Sequence, residues 1–325
     1  MREFEYTRAR DEAAAVAEIG DGARFLGGGT NLVDLMKLGV ETPVRLVDVR
    51  RLPGSIADTA DGGLRIDASV PNSIVAADRR VRERYPAVAR ALLSGASGQL
   101  RNLATTGGNL LQRTRCVYFM DPTKPCNKRE PGSGCPARDG DHANLAILGW
   151  SESCVSTHPS DFAVPLVAFD ARVHLRSASG ARVVPLDELH RLPGDEPHRD
   201  TVLEPGELIT AVELPALALA RRSAYRKVRE RASFSFAVVS VAAALDVVDG
   251  TVREARLALG GVAHKPWRCR AAEEVLRDAP ATAASFARAA DAELAAARPL
   301  RDNGYKVPIA RNAICTLLAG LAARP

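Results

Sequence analysis

Four of the six cysteines fall within 39 residues: Cys116, Cys126, Cys135 and Cys154, separated by nine, eight and eighteen residues. Thiolates grouped in this way are ligands for zinc or for an iron–sulfur cluster. Common zinc motifs pair cysteines two to four residues apart, and none of these gaps does so. The same segment holds Arg113, Arg115, Lys124, Lys128 and Arg129. Cations there would offset the negative charge of a four-thiolate cluster and raise its potential. Spacing alone leaves three readings open: a 4Fe–4S cluster, a structural zinc of irregular spacing, or four free buried thiols. Cys269 and Cys315 stand apart and read as ordinary buried thiols.

Two glycine loops are the other candidates. Gly27-Gly28-Gly29-Thr30-Asn31 lies between an expected strand, Ala23-Arg24-Phe25-Leu26, and an expected helix that begins at Leu32. Glycine permits positive φ and close backbone approach, and amides at a following helix start can bind phosphate. A tight strand-to-helix turn needs nothing more, so the glycines alone do not decide. A dinucleotide fingerprint requires Gly-x-Gly-x-x-Gly or Ala, and from Gly27 its sixth position is Leu32, so the fingerprint fails. The second loop, Thr105-Thr106-Gly107-Gly108-Asn109, offers two hydroxyls, two flexible peptides and an amide. Alone it is equally a polar turn, but one large dinucleotide could use both loops.

Further along, Asp161 in His158-Pro159-Ser160-Asp161 could accept hydrogen bonds from a sugar, or could simply start a helix with Ser160. Lys227 and Arg231 precede an apolar stretch and read first as a solvated basic strand end. His142, His174, His190, His198 and His264 have no metal-ligand spacing. Neither a nucleophile–histidine pattern nor a carboxylate pair for acid–base hydrolysis stands out.

The elements that must position these residues divide into three stretches. The chain has 325 residues, 46% apolar and 26% charged, which suits a soluble globular protein of about two domains. Its net charge of +5 is scattered and aromatics are 5%, against a dedicated nucleic-acid surface. No apolar run reaches the length of a membrane span. The charged start does not read as a signal peptide, so the expectation is synthesis and cofactor loading in the cytoplasm. Residues 1–55 read as strand–helix–strand–helix–strand. Residues 56–215 read as short strands with one or two helices, the helical stretch 73–93 being interrupted by Pro86, and 164–175 and 181–186 reading as strand. Residues 113–158 lack periodicity, and a loop so long is usually functional. Residues 216–325 read as a hairpin through Asp249-Gly250, then helices over 271–297 and 309–323. Strands followed by helices predict an α+β fold.

Together these residues resemble the medium, flavin-binding subunit of the xanthine dehydrogenase and molybdenum hydroxylase family, and within it look closest to the flavin/iron–sulfur subunit of periplasmic-type aldehyde oxidoreductases. The resemblance is carried by Phe25-Leu26-Gly27-Gly28-Gly29-Thr30-Asn31-Leu32, by Ala104-Thr105-Thr106-Gly107-Gly108-Asn109-Leu110-Leu111-Gln112, and by the cysteine loop with Pro125-Cys126-Asn127-Lys128-Arg129-Glu130-Pro131-Gly132-Ser133-Gly134-Cys135. His158-Pro159-Ser160-Asp161, Tyr225-x-Lys227-x-x-x-Arg231 and Gly260-Gly261-Val262-Ala263-His264-Lys265-Pro266 complete it.

The resemblance implies a two-lobed FAD-binding domain of the vanillyl-alcohol-oxidase (PCMH) type, lobes 1–55 and 56–215 with an insert at about 113–158. A C-terminal α+β domain like that of the carbon monoxide dehydrogenase flavoprotein would follow over 216–325. It implies that the first glycine loop holds the FAD pyrophosphate and that the Thr105, Thr106, Gly108 and Asn109 loop lines flavin and phosphates. Asp161 and Lys227 would be further FAD contacts, and Cys116, Cys126, Cys135 and Cys154 would bind a 4Fe–4S cluster. No catalytic residue of substrate oxidation is expected here. An aldehyde would be oxidised at a large molybdopterin subunit, and electrons would pass through a small subunit with 2Fe–2S clusters to FAD on this chain and on to an external acceptor, in a heterotrimer. Co-export with a partner subunit would take it to the periplasm. The alternatives are the medium subunit of a 4-hydroxybenzoyl-CoA reductase and a zinc-stabilised scaffold without flavin.

Overall fold

A computed structural model describes residues 1–323, so the last two residues of the 216–325 stretch lie outside the described residues. The fold is α+β, as expected, and is organised around three sheets. The first is wholly parallel, with Arg45–Asp48 between Glu5–Arg8 and Ala23–Leu26. Its crossovers carry the short helices Glu12–Glu18 and Leu32–Leu38. The first glycine loop lies at the carboxyl end of Ala23–Leu26, where parallel sheets place their ligand crevices.

The second sheet is antiparallel, in the order Ile56–Asp58, Leu64–Asp67, Leu208–Leu214, Arg172–Ser177, Gly180–Pro185. Helices Asn72–Ala77, Arg79–Arg84, Pro86–Ser94 and Gly98–Leu103 accompany it. The helical stretch 73–93 is interrupted at Pro86 as expected, where one helix has ended and the next begins, and it is also broken at Asp78. Proline is tolerated in a first turn because its missing N–H has no partner there. The stretch 164–175 is not one strand: Ala163–Ala168 is a helix, and strand pairing begins at Arg172. Every residue of that helix is buried, and an apolar run buried on all sides has no period to distinguish helix from strand.

The third sheet is also antiparallel, in the order Trp267–Arg268, Thr251–Gly260, Val239–Val248, Ser223–Val228. Asp249 and Gly250 both have positive φ, as the hairpin signal requires. The helical stretch 271–297 is two helices, Arg270–Leu276 and Ala283–Leu294, parted where Asp278 takes positive φ and Pro280 follows. Helix Lys306–Ala322 packs on this sheet in a separate core with Val241, Leu257, Phe286 and Ile314.

The cysteine segment contains only the short turns Val117–Met120 and Pro136–Arg138 as regular structure. It has its own small core of Leu35, Phe119, Ala137, Leu145 and Val155 around Cys116 and Cys126. The last domain holds it from behind. Lys306, fully buried, donates to the carbonyls of Leu145 at 2.9 Å and Gly261 at 2.6 Å, and Asn303 Nδ2 donates to that of Ala146 at 3.1 Å.

Candidate cofactor site

The two glycine loops meet. A Cβ on Gly28 would stand 1.9 Å from the carbonyl oxygen of Leu103 and 2.8 Å from Cα of Ala104, and one on Gly27 would stand 2.7 Å from Thr105 Oγ1. Gly28 is therefore dictated by the second loop's backbone, and the positive φ of this loop lies at Gly29. Closing the loops on each other creates a cavity of about 810 Å³, lined by Phe25, Gly27, Gly28, Gly29, Thr30, Asn31, Leu32, Thr105 and Gly108. That is the size of a pocket for a large organic ligand. A glycine-walled cradle at the end of a parallel sheet suits the pyrophosphate of a dinucleotide, so the residues fit FAD.

The remaining expected contacts lie behind this wall. Leu26 packs with Met36 and Leu46. Residues 106–110 form a helical turn; Thr106 Oγ1 donates to the Val70 carbonyl at 2.9 Å, and Asn109 Oδ1 accepts from Ser160 Oγ at 2.6 Å. Asp161 and Lys227 form a buried ion pair of 2.7 Å, with Tyr225 Oη donating to the second carboxylate oxygen at 2.5 Å. Neither lines the cavity; Lys227 is not at a solvated strand end but in an internal charge pair joining the two domains, whereas Arg231 is exposed.

Cys116, Cys126, Cys135 and Cys154 line one small second cavity, together with Phe119, Asn127 and Lys128. Burial pushes the Cys116 thiol up to about 12 and raises Cys135 as well. Four thiols on the lining of one pocket are the donor chemistry of a 4Fe–4S cluster, whose ligands are cysteine sulfurs, so the residues fit that group; a tetrahedral zinc takes the same four donors. Cys269 is fully buried in the C-terminal core, whereas Cys315 is only half-buried at the edge of that core.

Sequence reasoning missed what joins the two cavities. Asp200, His158 and His190 line the large one. Arg113 Nε donates to Asp200 Oδ2 at 2.8 Å, and Lys128 pairs with Asp200 Oδ1. Arg113 and Lys128 carried a signal in their nearness in sequence to the cysteines, and His158 stands in a motif that carries the resemblance, whereas Asp200 and His190 carried none. His158, His190 and His264 are buried close to Asp200 and to one another. Burial holds all three rings neutral, with His190 and His264 at about 4. An unfolded histidine takes up a proton near pH 6.5. Stability is therefore full above about pH 6.5 and falls toward pH 4, where the unfolded chain binds protons that the folded chain refuses. A denaturant series at pH 7, 6, 5 and 4.5 checks this, and a flat profile over that window would contradict it.

Comparison with known proteins agrees with this site. Residues 2–217 match the model for the FAD binding domain in molybdopterin dehydrogenase, and residues 223–319 match that for the carbon monoxide dehydrogenase flavoprotein C-terminal domain. The chain belongs to this family of FAD-binding subunits of molybdopterin dehydrogenases. It is 49% identical to the aldehyde oxidoreductase FAD-binding subunit PaoB of Escherichia coli K12, over 98% of each chain. It is 28% identical to the glyceraldehyde dehydrogenase medium chain of Sulfolobus acidocaldarius, over 84% of this chain and 80% of that one. Carbon monoxide dehydrogenase from Hydrogenophaga pseudoflava superposes with a TM-score of 0.75 at 25% identity, covering 98% of this chain and 96% of that one. Among the described residues, no helix is long and apolar enough to cross a membrane.

Proposed function

We propose that this chain is the electron-transferring flavin subunit of an aldehyde-oxidising molybdenum hydroxylase, and that Cys116, Cys126, Cys135 and Cys154 hold a 4Fe–4S cluster beside the flavin. The observation that carries this reading is the pairing of Lys128, on the wall of the thiol pocket, with Asp200, on the wall of the large cavity. Two redox sites sharing one wall suit a relay. The 49% identity to a subunit named for aldehyde oxidation supports the substrate class.

Bound FAD supplies one- and two-electron chemistry, and the protein supplies position and electrostatics. Gly27 to Asn31 form the cradle for its pyrophosphate. The backbone contact between Gly28 and Leu103 holds that cradle rigid, and the neutral histidines keep added positive charge away from the inner wall. Arg113 bridges Glu41 and Asp200 and stacks over Phe119 at 4.6 Å. It thereby orders the first turn of the cysteine segment. Substrate oxidation belongs on a large molybdopterin subunit, with a small 2Fe–2S subunit between the two, and co-export with a partner subunit would deliver the complex to the periplasm.

The test is anaerobic purification with the co-encoded subunits, followed by flavin, iron and acid-labile sulfide analysis. The expected result is FAD and about four irons and four sulfides per chain beyond those of the partners. Full flavin with zinc or no metal in the thiol pocket would reject the cluster and leave the flavin reading intact. Absence of FAD, or of aldehyde-dependent flavin reduction, would reject the relay.

A further inference from the structure

Asp200 lies between the two cavities, partly open to the larger one, and each of its carboxylate oxygens takes one cation from the cysteine segment. Oδ1 takes Lys128 Nζ, whose side chain is 1% exposed and which also donates to the Pro197 carbonyl at 2.8 Å. Oδ2 takes Arg113 Nε at 2.8 Å. The backbone N–H of Arg113 in turn donates to Asn31 Oδ1, in the first glycine loop, at 2.9 Å. The two cations sit on either side of Cys116 and Cys126 in sequence, and Lys128 itself lines the thiol pocket. Arg113 has a second anion in Glu41, at 2.5 Å. The anion paired with Lys128 is Asp200.

This asymmetry has a chemical consequence. A buried ammonium without its counter-ion is strongly unfavourable, so Lys128 is held at the thiol pocket only while Asp200 is charged and in place. With both present, the pair adds a dipole but no net charge next to the four thiols. Cluster potentials respond to net charge and hydrogen bonding around the sulfurs. We propose that Asp200 is a positioning residue that fixes the cysteine pocket against the flavin cavity and, through Lys128, sets the charge balance at that pocket. This rests on the reading of the four cysteines as cluster ligands.

The charge and the shape of the pair can be separated. Asp200→Asn keeps the shape and leaves an uncompensated cation at the pocket; Lys128→Met removes that cation and keeps Asp200 paired with Arg113. Asp200→Asn/Lys128→Met is neutral again. With the full chain purified in the assembly it forms, the cluster potential should rise in the first variant, fall in the second, and return toward wild type in the double. Backbone deuterium uptake over 113–158 should quicken by roughly tenfold or more in Asp200→Asn and recover in the double variant. If the single variants lose iron, the double variant should regain it. Potentials that move together or not at all, or a double variant worse than either single, would overturn the role of Asp200. Wild-type chain without iron would instead remove the cluster reading, while the deuterium-uptake pattern would still decide whether Asp200 anchors the loop.

Discussion

Gly28→Ala, a single added methyl, should strip the protein of FAD. The new Cβ would stand 1.9 Å from the Leu103 carbonyl oxygen and 2.5 Å from its carbon. Both are backbone atoms, so no rotamer change relieves the clash, and one of the two glycine loops has to move. Overpacking of this kind costs about 3 kcal/mol or more when the neighbour cannot yield. Both loops line the cavity, so the loss should appear first as flavin, then as stability. Flavin released on denaturation, measured per chain, should fall by at least roughly tenfold, with the thermal midpoint lowered. Gly320→Ala is the control: it lies in helix Lys306–Ala322, where a Cβ would meet nothing within 4 Å. That variant should keep its flavin, because alanine favours helix over glycine. A folded Gly28→Ala protein with wild-type flavin would refute the contact between the loops.

The second large effect concerns metal. Cys126→Ser should abolish the iron assigned to this chain, whereas Cys269→Ser and Cys315→Ser should leave it unchanged. The four clustered cysteines face one pocket, while the other two belong to the C-terminal core. The small core around the thiols includes Cys116 and Cys126 themselves, and little regular structure supports it. Metal binding to such a segment contributes to folding it. Loss of the cluster should therefore loosen 113–158, read as faster deuterium uptake and trypsin cleavage at Arg129 and Arg138. Flavin content should be largely retained, because the glycine loops pack on each other outside the segment. Low-temperature EPR with iron and sulfide analysis decides the matter. Iron retained in Cys126→Ser and lost in Cys269→Ser would reverse the ligand assignment.

Much of this protein was legible before its coordinates. The parallel βαβαβ start could be read because strands and helices there alternate with short, clear glycine and acidic punctuation. The hairpin at Asp249-Gly250 could be read because positive φ at two successive residues restricts composition. The cysteines could be grouped because four of the six lie within 39 residues of one another. The buried helix Ala163–Ala168 was not legible as a helix, since burial on every side leaves no polar face to mark its period.

What the sequence determined was the inventory: an α+β chain with two glycine loops, four grouped thiols and a family resemblance spanning most of its length. It also offered the glycines of the first loop for positive φ and close approach to a ligand. Only the tertiary structure showed that the nearest atoms to a Cβ at Gly28 are the backbone of Leu103 and Ala104, 75 residues away. Only the tertiary structure withdrew Asp161 and Lys227 into an internal ion pair, and placed Asp200 between the cavities with one cation on each oxygen. The physical reason is common to all three. A residue's type and its neighbours in sequence fix what it can donate, accept or accommodate. What it meets depends on contacts between distant segments, and buried charge and close backbone packing are decided by those contacts.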